Sequence, residues 1–581
     1  MIGAPLLSAA ALAVLLAYAP PAAAPFVPVK LALLALAGAL GLAMQLSAQV
    51  RGGPRPRLDR AVLAAGAAVL LTTALSALAA AGHPPGAPYA GVALIRWAAV
   101  AGVAVGVAAL DRTGRARLVD AMQIGAGLVA LVGLAQHLGI CPLPIPSISV
   151  PGSTFGNRNI AAETVAVALP FALARADRTG PDGVRGPAAA ALALVQVVFL
   201  AVARTRGAWI GGAAGMLVFA AMARPRLSRR AMAFLGAAAV VALGAVAIPG
   251  RWTAHDAGDA KRFVPAAEVV RDGLSLSSPV ARTRLGLWRR AWTMFGSAPG
   301  LGVGPGNFAV LFPRYADPGA TADGVLSPTR APRQVHDDLL ERLTETGVLG
   351  LAALAALYAA LAVAAARRAR AADADERRMA AGCAGALAAF IGCGLTGFPM
   401  SMPATLFLFA VAAGALAVRP GADVVVPPAA RVSRAGAWIL GAILIVQAAV
   451  WGIHLMTASL FLGRAERTLA AGDGKAAARA LPDLARAARA RPRDFDVALR
   501  TAYAAWRAGL PAQAAGAAEA ALAVEPESPN AWQALARARL DLGDAAGAAA
   551  ASEQALDRLH DYPAALATRA EAERRLSQER R

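Results

Sequence analysis

The sequence predicts an all-α, polytopic membrane protein of about 12–13 transmembrane helices, with one large outer loop and a C-terminal helical-repeat domain. Three observations predict it. Of the 581 residues 57% are hydrophobic and only 16% charged, too apolar a balance for an ordinary soluble chain. Apolar runs of about 18 residues or more recur through the first 457 positions, each long enough to cross a bilayer as a helix. From about residue 458 the chain turns Ala- and Arg-rich with interspersed acids, and a period of 34 appears.

In chain order the expected spans are 4–20, 26–49, 61–81, 90–110, 118–138, 159–175, 187–203, 207–223 and 231–249. Four more follow at 347–366, 379–397, 403–418 and 435–457. The loops Arg51 to Arg60, Arg112 to Arg117, Arg175 to Arg185, Arg224 to Arg230, Arg367 to Arg378 and, more weakly, Arg419 to Arg434 are basic. Loops 82–89 and 399–402 hold no Lys or Arg. Basic loops stay cytoplasmic, which puts the N-terminus inside and the 250–346 loop outside. Thirteen spans then leave the tail outside too; the very short Arg204–Gly207 turn leaves that count open by one.

The net charge of +21 does not imply nucleic acid, because the arginines sit in short clusters between spans. Lysine occurs only at Lys30, Lys261 and Lys475, which fits biased base composition. Cys141, Cys383 and Cys393 lie in apolar settings and imply neither a disulfide framework nor a zinc site. No secretory cleavage pattern follows the first apolar run.

The tail repeats at Pro492 and Pro526, Gly509 and Gly543, and Leu522 and Leu556. With Tyr503, Trp506, Tyr562 and the small-residue runs, this pattern fits about three antiparallel helix pairs of tetratricopeptide type over 458–581. Such a surface binds a protein partner or peptide, or else only orders the membrane domain.

Polar chemistry has few places to sit. In Ala203-Arg204-Thr205-Arg206-Gly207-Ala-Trp209 two arginines break the positive-inside trend. They are either interfacial anchors or planar forks for phosphate oxygens. His336 lies between Arg333 and the carboxylates Asp337, Asp338 and Glu341. It is either a loop histidine beside a helix start or a group that exchanges protons near neutral pH. The acids also read as first-turn residues that complement a helix dipole. A divalent metal is not expected, since three near-adjacent residues rarely converge on one ion.

The glycines Gly300, Gly302, Gly304 and Gly306 lack the strand and helix of a dinucleotide loop. They read as a turn that brings backbone close to a neighbour. Gly152-Ser-Thr-Phe-Gly-Asn157-Arg158-Asn159 suits an irregular re-entry ahead of a span carrying Glu163, a costly intramembrane carboxylate with Arg158 or Arg96 as its expected partner. Arg96, Arg158, Arg204, Arg206, Arg282 and Arg284 would together form an outward basic cluster suited to a diphosphate.

These stretches resemble the O-antigen ligase and polymerase superfamily of bacterial envelope enzymes. Gly152 to Asn159 resembles its G-T-F-G-N-x-N stretch, and Thr205 to Trp209 its S-R-G-A-W step. Arg284 to Trp288 with Pro299 to Phe308 resembles its R-x-x-x-W and P-x-x-G-x-G-x-x-x-F segment. His336 to Leu339 with Glu345 to Gly347 resembles its H-N-D-Y-L and E-x-G stretch. The resemblance covers about 150–415, within a transmembrane domain of 1–457.

It implies a metal-independent inverting glycosyltransferase of the bacterial inner membrane, without cofactor, whose 250–346 loop and repeats are periplasmic. The enzyme would move a glycan from a polyprenyl (undecaprenyl) diphosphate carrier to a glycan, lipid or protein acceptor in cell-surface polysaccharide synthesis, including lipopolysaccharide. Carried over by position, His336 is the general base, Arg206 grips the diphosphate and Arg284 assists. Arg204, Arg158 and Arg96 extend the basic cluster, with Asp337 and Asn157 in support. Asp337 replaces the family's Asn and Thr205 its Ser, which leaves open how Asp337 acts on His336. A polymerase of lipid-linked repeat units and a protein O-oligosaccharyltransferase share these motifs. A flippase would instead place its charges in a cavity across the spans.

Overall fold

The computed structural model describes residues 3–223 and 278–580 except 52, 56, 83–85, 177–184, 317–324, 328–330, 371–372, 420–423 and 427–432, with a few isolated positions between 224 and 277. The expected span 231–249 and most of the loop's first third lie outside the described residues. The other twelve expected spans are all helices. They are α1 Gly3–Leu16, α2 Val27–Arg51, α3 Arg60–Ala81, α4 Ala90–Ala108, α5 Arg112–Leu138, α6 Arg158–Ala176, α7 Arg185–Ala203 and α8 Arg206–Ala223. After the loop come α11 Asp338–Arg368, α12 Ala374–Gly394, α13 Pro403–Ala417 and α14 Arg434–Leu469.

Among the described residues, eight helices are long and apolar enough to cross a membrane; α1, α7 and α13 are shorter apolar helices. The protein is an all-α polytopic membrane protein. Among the described residues a short antiparallel ladder between β1 Gly53–Arg55 and β2 Val424–Val426 ties two interhelical loops together.

Helix α13 is the axis of the bundle, since every residue from Pro403 to Ala417 is buried. Its fifteen residues rise roughly 22 Å, short of the ~30 Å of a hydrocarbon core. The Gly394–Met402 turn before it is therefore recessed into the bundle. Small residues let the helices around it approach closely, as membrane interfaces favour. At the α8–α12 seam a Cβ on Gly215 would lie 2.7 Å from the Gly385 carbonyl oxygen, and one on Gly385 would lie 2.7 Å from that of Gly215. That contact fixes the middles of the two helices. Nearer the polar residues a Cβ on Gly211 would lie 2.6 Å from the Ala389 carbonyl oxygen, which sets the start of α8 against the end of α12.

The loop contributes α9 Pro279–Ser297 and the short α10 Asn307–Leu311. The glycine-rich turn between them does find a backbone neighbour: the N–H groups of Val303 and Gly304 donate to the Thr344 and Glu345 carbonyls at 3.0 Å each. Helix α11 opens to receive it at Gly347, whose φ of +65° and ψ of −171° interrupt the helix. Beyond the break, Val348 N–H donates to the Pro299 carbonyl at 2.9 Å. A Cβ on Gly347 would sit 2.2 Å from the Gly300 oxygen, so only glycine fits there.

The C-terminal array comprises α15 Gly474–Ala490, α16 Phe495–Arg507, α17 Pro511–Leu522, α18 Pro529–Asp541, α19 Ala545–Arg558 and α20 Pro563–Glu579. Helix starts at Phe495, Pro529 and Pro563 recur every 34 residues, as do those at Pro511 and Ala545. The expected boundary at 457/458 falls inside α14, which runs unbroken from the bundle into the array and packs on α15 through Leu462, Ala465 and Leu484. Leucine and alanine spaced three and four apart continue the helical stripe across that point, so nothing ends it.

The array packs on the loop. Leu287, Phe308, Phe312 and Val335 share one core with Ala555, Leu556, Leu559 and Tyr562. Glu525 accepts from Arg333 Nη1 at 2.7 Å and from the Tyr89 hydroxyl. Loop and array thus lie on the same side of the bundle.

Candidate functional site at the recessed mouth of the bundle

The 150–159 stretch is a buried, irregular re-entry. Ser153 N–H donates to Gln136 Oε1 at 2.7 Å and its hydroxyl to the Val129 carbonyl at 2.6 Å. The Thr154 hydroxyl donates to the Leu15 carbonyl at 2.8 Å. The Lys30 ammonium caps the same end of α1 through the carbonyls of Val14 and Leu15, and lies 4.2 Å from the Phe155 ring centroid. This scaffold aims the first turn of α6. Asn157 accepts from Asn159 N–H at 2.9 Å and so turns the backbone into the helix. Asn159 Oδ1 in turn accepts from the Thr205 hydroxyl at 3.1 Å.

Thr205 thereby pins α8 to α6, and Trp209 Nε1 donates back to the Leu200 carbonyl at 2.8 Å. Arg204 holds a left-handed φ of +51°, a conformation that costs energy for a residue with a Cβ. Arg206 follows at the first position of α8, where the helix dipole adds positive potential. Burial, and then the charge of Arg158, pushes the Arg204 guanidinium below its usual range. Burial, and then the charge of Arg206, does the same to Arg284 on α9, while Glu163 acts in the opposite sense. Both guanidiniums remain protonated at any working pH.

Glu163 is buried on α6, 3% exposed. Its Oε1 lies against the backbone of Gly397 and its Oε2 has no hydrogen-bond partner among the described residues. The cation that faces it is Arg284, not the expected Arg158 or Arg96. The reason is α9, which brings a residue 121 positions away in sequence over the α6 start.

His336 lies across the 394–398 turn, with its ring edge-on to Phe398 at 5.0 Å between centroids. Its φ of +61° is again left-handed, and strain of this kind concentrates at functional positions. The acids after it hold the backbone. Asp337 caps α11, one carboxylate oxygen accepting from Leu339 and Leu340 N–H at 3.0 Å each. Asp338 accepts from Met400 N–H at 2.9 Å, and Glu341 reaches back to Val335 N–H at 2.9 Å. Burial raises the Asp337 carboxyl above its ordinary value, against the two backbone donors that lower it.

Six sequence-derived candidates therefore gather at the mouth, but in separate groups. Arg206 and Glu163 both adjoin Arg284, and Arg158 adjoins Arg204. His336 stands beyond the turn. Arg96 departs from the expected cluster: it faces Glu345, Glu341 and Asp338 and donates to the Ser401 carbonyl at 3.3 Å. Sequence reading missed Arg342, which is buried and donates to the Thr73 hydroxyl at 2.8 Å while lying over the Trp97 ring. It named Glu345 only within the E-x-G stretch and gave it no partner; its Oε1 accepts from Phe308 N–H at 3.2 Å. An arginine three residues before the E-x-G glutamate was the available signal.

The bundle and its mouth define a multi-pass membrane protein with a cationic, half-buried polar site. Residues 189–355 match the family model described as O-Antigen ligase, Wzy_C, and this segment carries three of the four motif stretches. The match supports a ligase- or polymerase-type role in surface polysaccharide synthesis and a membrane glycosyltransferase-like enzyme. No curated protein matches the chain. Among solved structures, the NMR structure of the first TPR domain of the human RPAP3 protein is 17% identical and covers 21% of this chain and 95% of that one, at a TM-score of 0.20. That score is too low for the likeness to bear on the fold.

Proposed function

We propose that the chain transfers a glycan from a polyprenyl diphosphate carrier to an acceptor hydroxyl at the outer face of a bacterial inner membrane. The observation that carries this reading is the Arg206–Arg284 pair. Two half-buried guanidiniums that repel each other are stabilised by a polyanion that bridges them. They would take up the charge that develops on the departing diphosphate, the role a divalent cation plays elsewhere. Glu163 faces Arg284 and attracts it without a direct ion pair among the described residues. His336, fixed by the Asp337 cap and by Phe398, removes the acceptor proton as the oxygen attacks the anomeric carbon. Arg204 and Arg158 extend the cationic surface, and Asn157 shapes the turn that carries Arg158. The C-terminal array reads as tetratricopeptide-type repeats that steady the loop and meet a protein partner.

The test is transfer in a strain lacking the protein, complemented with His336→Ala at equal membrane abundance. Surface glycan is expected to disappear while lipid-linked glycan accumulates. Long lipid-linked chains identify a ligase, single repeat units a polymerase, and loss of glycan from protein an O-oligosaccharyltransferase. Wild-type transfer by His336→Ala overturns the mechanism.

A further inference from the structure

The opposite end of the bundle holds a second polar concavity, which the transfer reading does not use. Helix α11 runs 31 residues from Asp338 to Arg368, so this end lies roughly 45 Å from His336. There a cavity of about 510 Å³ opens between the starts of α5 and α12 and the ends of α6 and α11. Six guanidiniums line it, those of Arg112, Arg115, Arg117, Arg175, Arg368 and Arg378, against only three carboxylates.

The carboxylates are already engaged. Arg175 holds Asp120 through two bonds of 2.6 Å. Arg112 pairs with Glu376 at 3.1 Å, and Arg378 with Asp375 at 2.9 Å. Arg115, Arg117 and Arg368 form no close ion pair with a carboxylate among the described residues, although Glu376 attracts both Arg115 and Arg368, and Asp111 attracts Arg115. Arg115 donates to the Leu110 carbonyl at 2.7 Å. Arg368 donates to the Val418 carbonyl, is only 4% exposed, and its Nε has no partner. Arg115 and Arg368 lie close enough to repel each other.

The positive-inside tendency explains arginines on exposed loops. It does not explain half-buried Arg115 set beside buried Arg368 in one cavity, which is unfavourable unless an anion joins them. Planar forks at several angles match the tetrahedral oxygens of phosphate. The level is also informative: Arg112 begins a span and Arg368 ends one, so the cavity sits where lipid headgroups meet water.

We propose that this cavity binds a phosphate-bearing anion, supplied either by the headgroup of an anionic phospholipid or by a soluble phosphate compound. The full-length chain in neutral detergent is titrated with dioleoyl phosphatidylglycerol and, separately, with pyrophosphate. Bound ligand is read by native mass spectrometry, with dioleoyl phosphatidylcholine as the neutral control. Arg115→Ala is expected to weaken binding about tenfold, whereas exposed Arg370→Ala, an equal change of charge outside the cavity, leaves it unchanged. Arg117 is exposed at the rim, so Arg117→Ala keeps the test intact should Arg115→Ala fail to fold. Retention of phosphatidylglycerol that pyrophosphate does not displace identifies the lipid as the source. Pyrophosphate binding with displacement identifies a soluble phosphate. Binding of neither above the phosphatidylcholine control, or equal binding by the cavity variants and Arg370→Ala, overturns the proposal.

Discussion

Two polar groups of similar composition flank the 394–398 turn and are used in opposite ways. On one side stand Arg206, Arg284 and Glu163, where the guanidiniums repel each other and one carboxylate oxygen accepts nothing. On the other stand Arg96, Asp338, Glu341 and Glu345, whose polar atoms bond to Ser401, Met400, Val335 and Phe308. The second group closes backbone turns; the first is the group to which the proposed diphosphate is assigned. Residue type alone does not separate a site from a brace, but the state of the hydrogen bonds does.

The largest expected effect falls on the unsatisfied side. Arg206→Ala should lower transfer by about 10²-fold or more without moving the thermal midpoint in detergent. Arg284→Ala should lower transfer as far, but with a lower midpoint, because buried Glu163 loses the cation that faces it. Arg96→Ala should do the reverse of Arg206→Ala, lowering the midpoint because it leaves Glu341 without its cation and Glu345 with Arg342 alone. Equal loss of transfer in Arg96→Ala at an unchanged midpoint would break the division.

Next comes the clasp that carries the braced side. Gly347→Ala places a Cβ 2.2 Å from the Gly300 oxygen at a φ of +65°. Strain of that kind costs about 1–3 kcal/mol, so abundance in the membrane and thermal midpoint should both fall. A midpoint equal to wild type would mean that the 299–304 turn is not held by α11.

How much of this was legible in the sequence follows from the range of each interaction. Spans were readable because twenty apolar residues are a local signal, and α8 and α11 begin within a few residues of motif positions. The function of the glycine turn was readable as a close approach, but its neighbour was not, because Gly302 meets Glu345 only after the chain has folded back. Glu163 was visibly costly, yet its cation Arg284 was hidden, since no local rule links α6 to α9. The 457/458 boundary failed for a different reason: hydropathy ends there but helix propensity does not. Arg96 misled because a guanidinium near the outer end of a span looks the same whether its neighbours are phosphates or carboxylates.

A smaller effect is expected where the array meets the loop. Glu525→Gln removes the charge that Arg333 and Tyr89 share. Arg333 is partly exposed, so the loss should be about 1 kcal/mol, read as faster proteolysis of the array. Transfer that stays unchanged while the array is released would leave both polar groups at the mouth independent of it.

The smallest effect is the most discriminating, because Asp337 stands between the proposed base and the braced group: it follows His336 in sequence and caps α11 in space. Asparagine caps nearly as well as aspartate, so Asp337→Asn should keep the midpoint near wild type at neutral pH. The folded chain holds the Asp337 proton more tightly than the ordinary value of 3.8. Asp337 therefore favours folding at acid pH, and that contribution fades as pH rises through the raised value. The Asn variant has no such proton, so its midpoint should lack the decline over that window. If transfer also stays near wild type, Asp337 belongs to the braced group and acts on His336 only through the backbone. If transfer falls while the midpoint holds, the carboxylate charge itself poises the histidine, and the boundary between the two groups runs through Asp337.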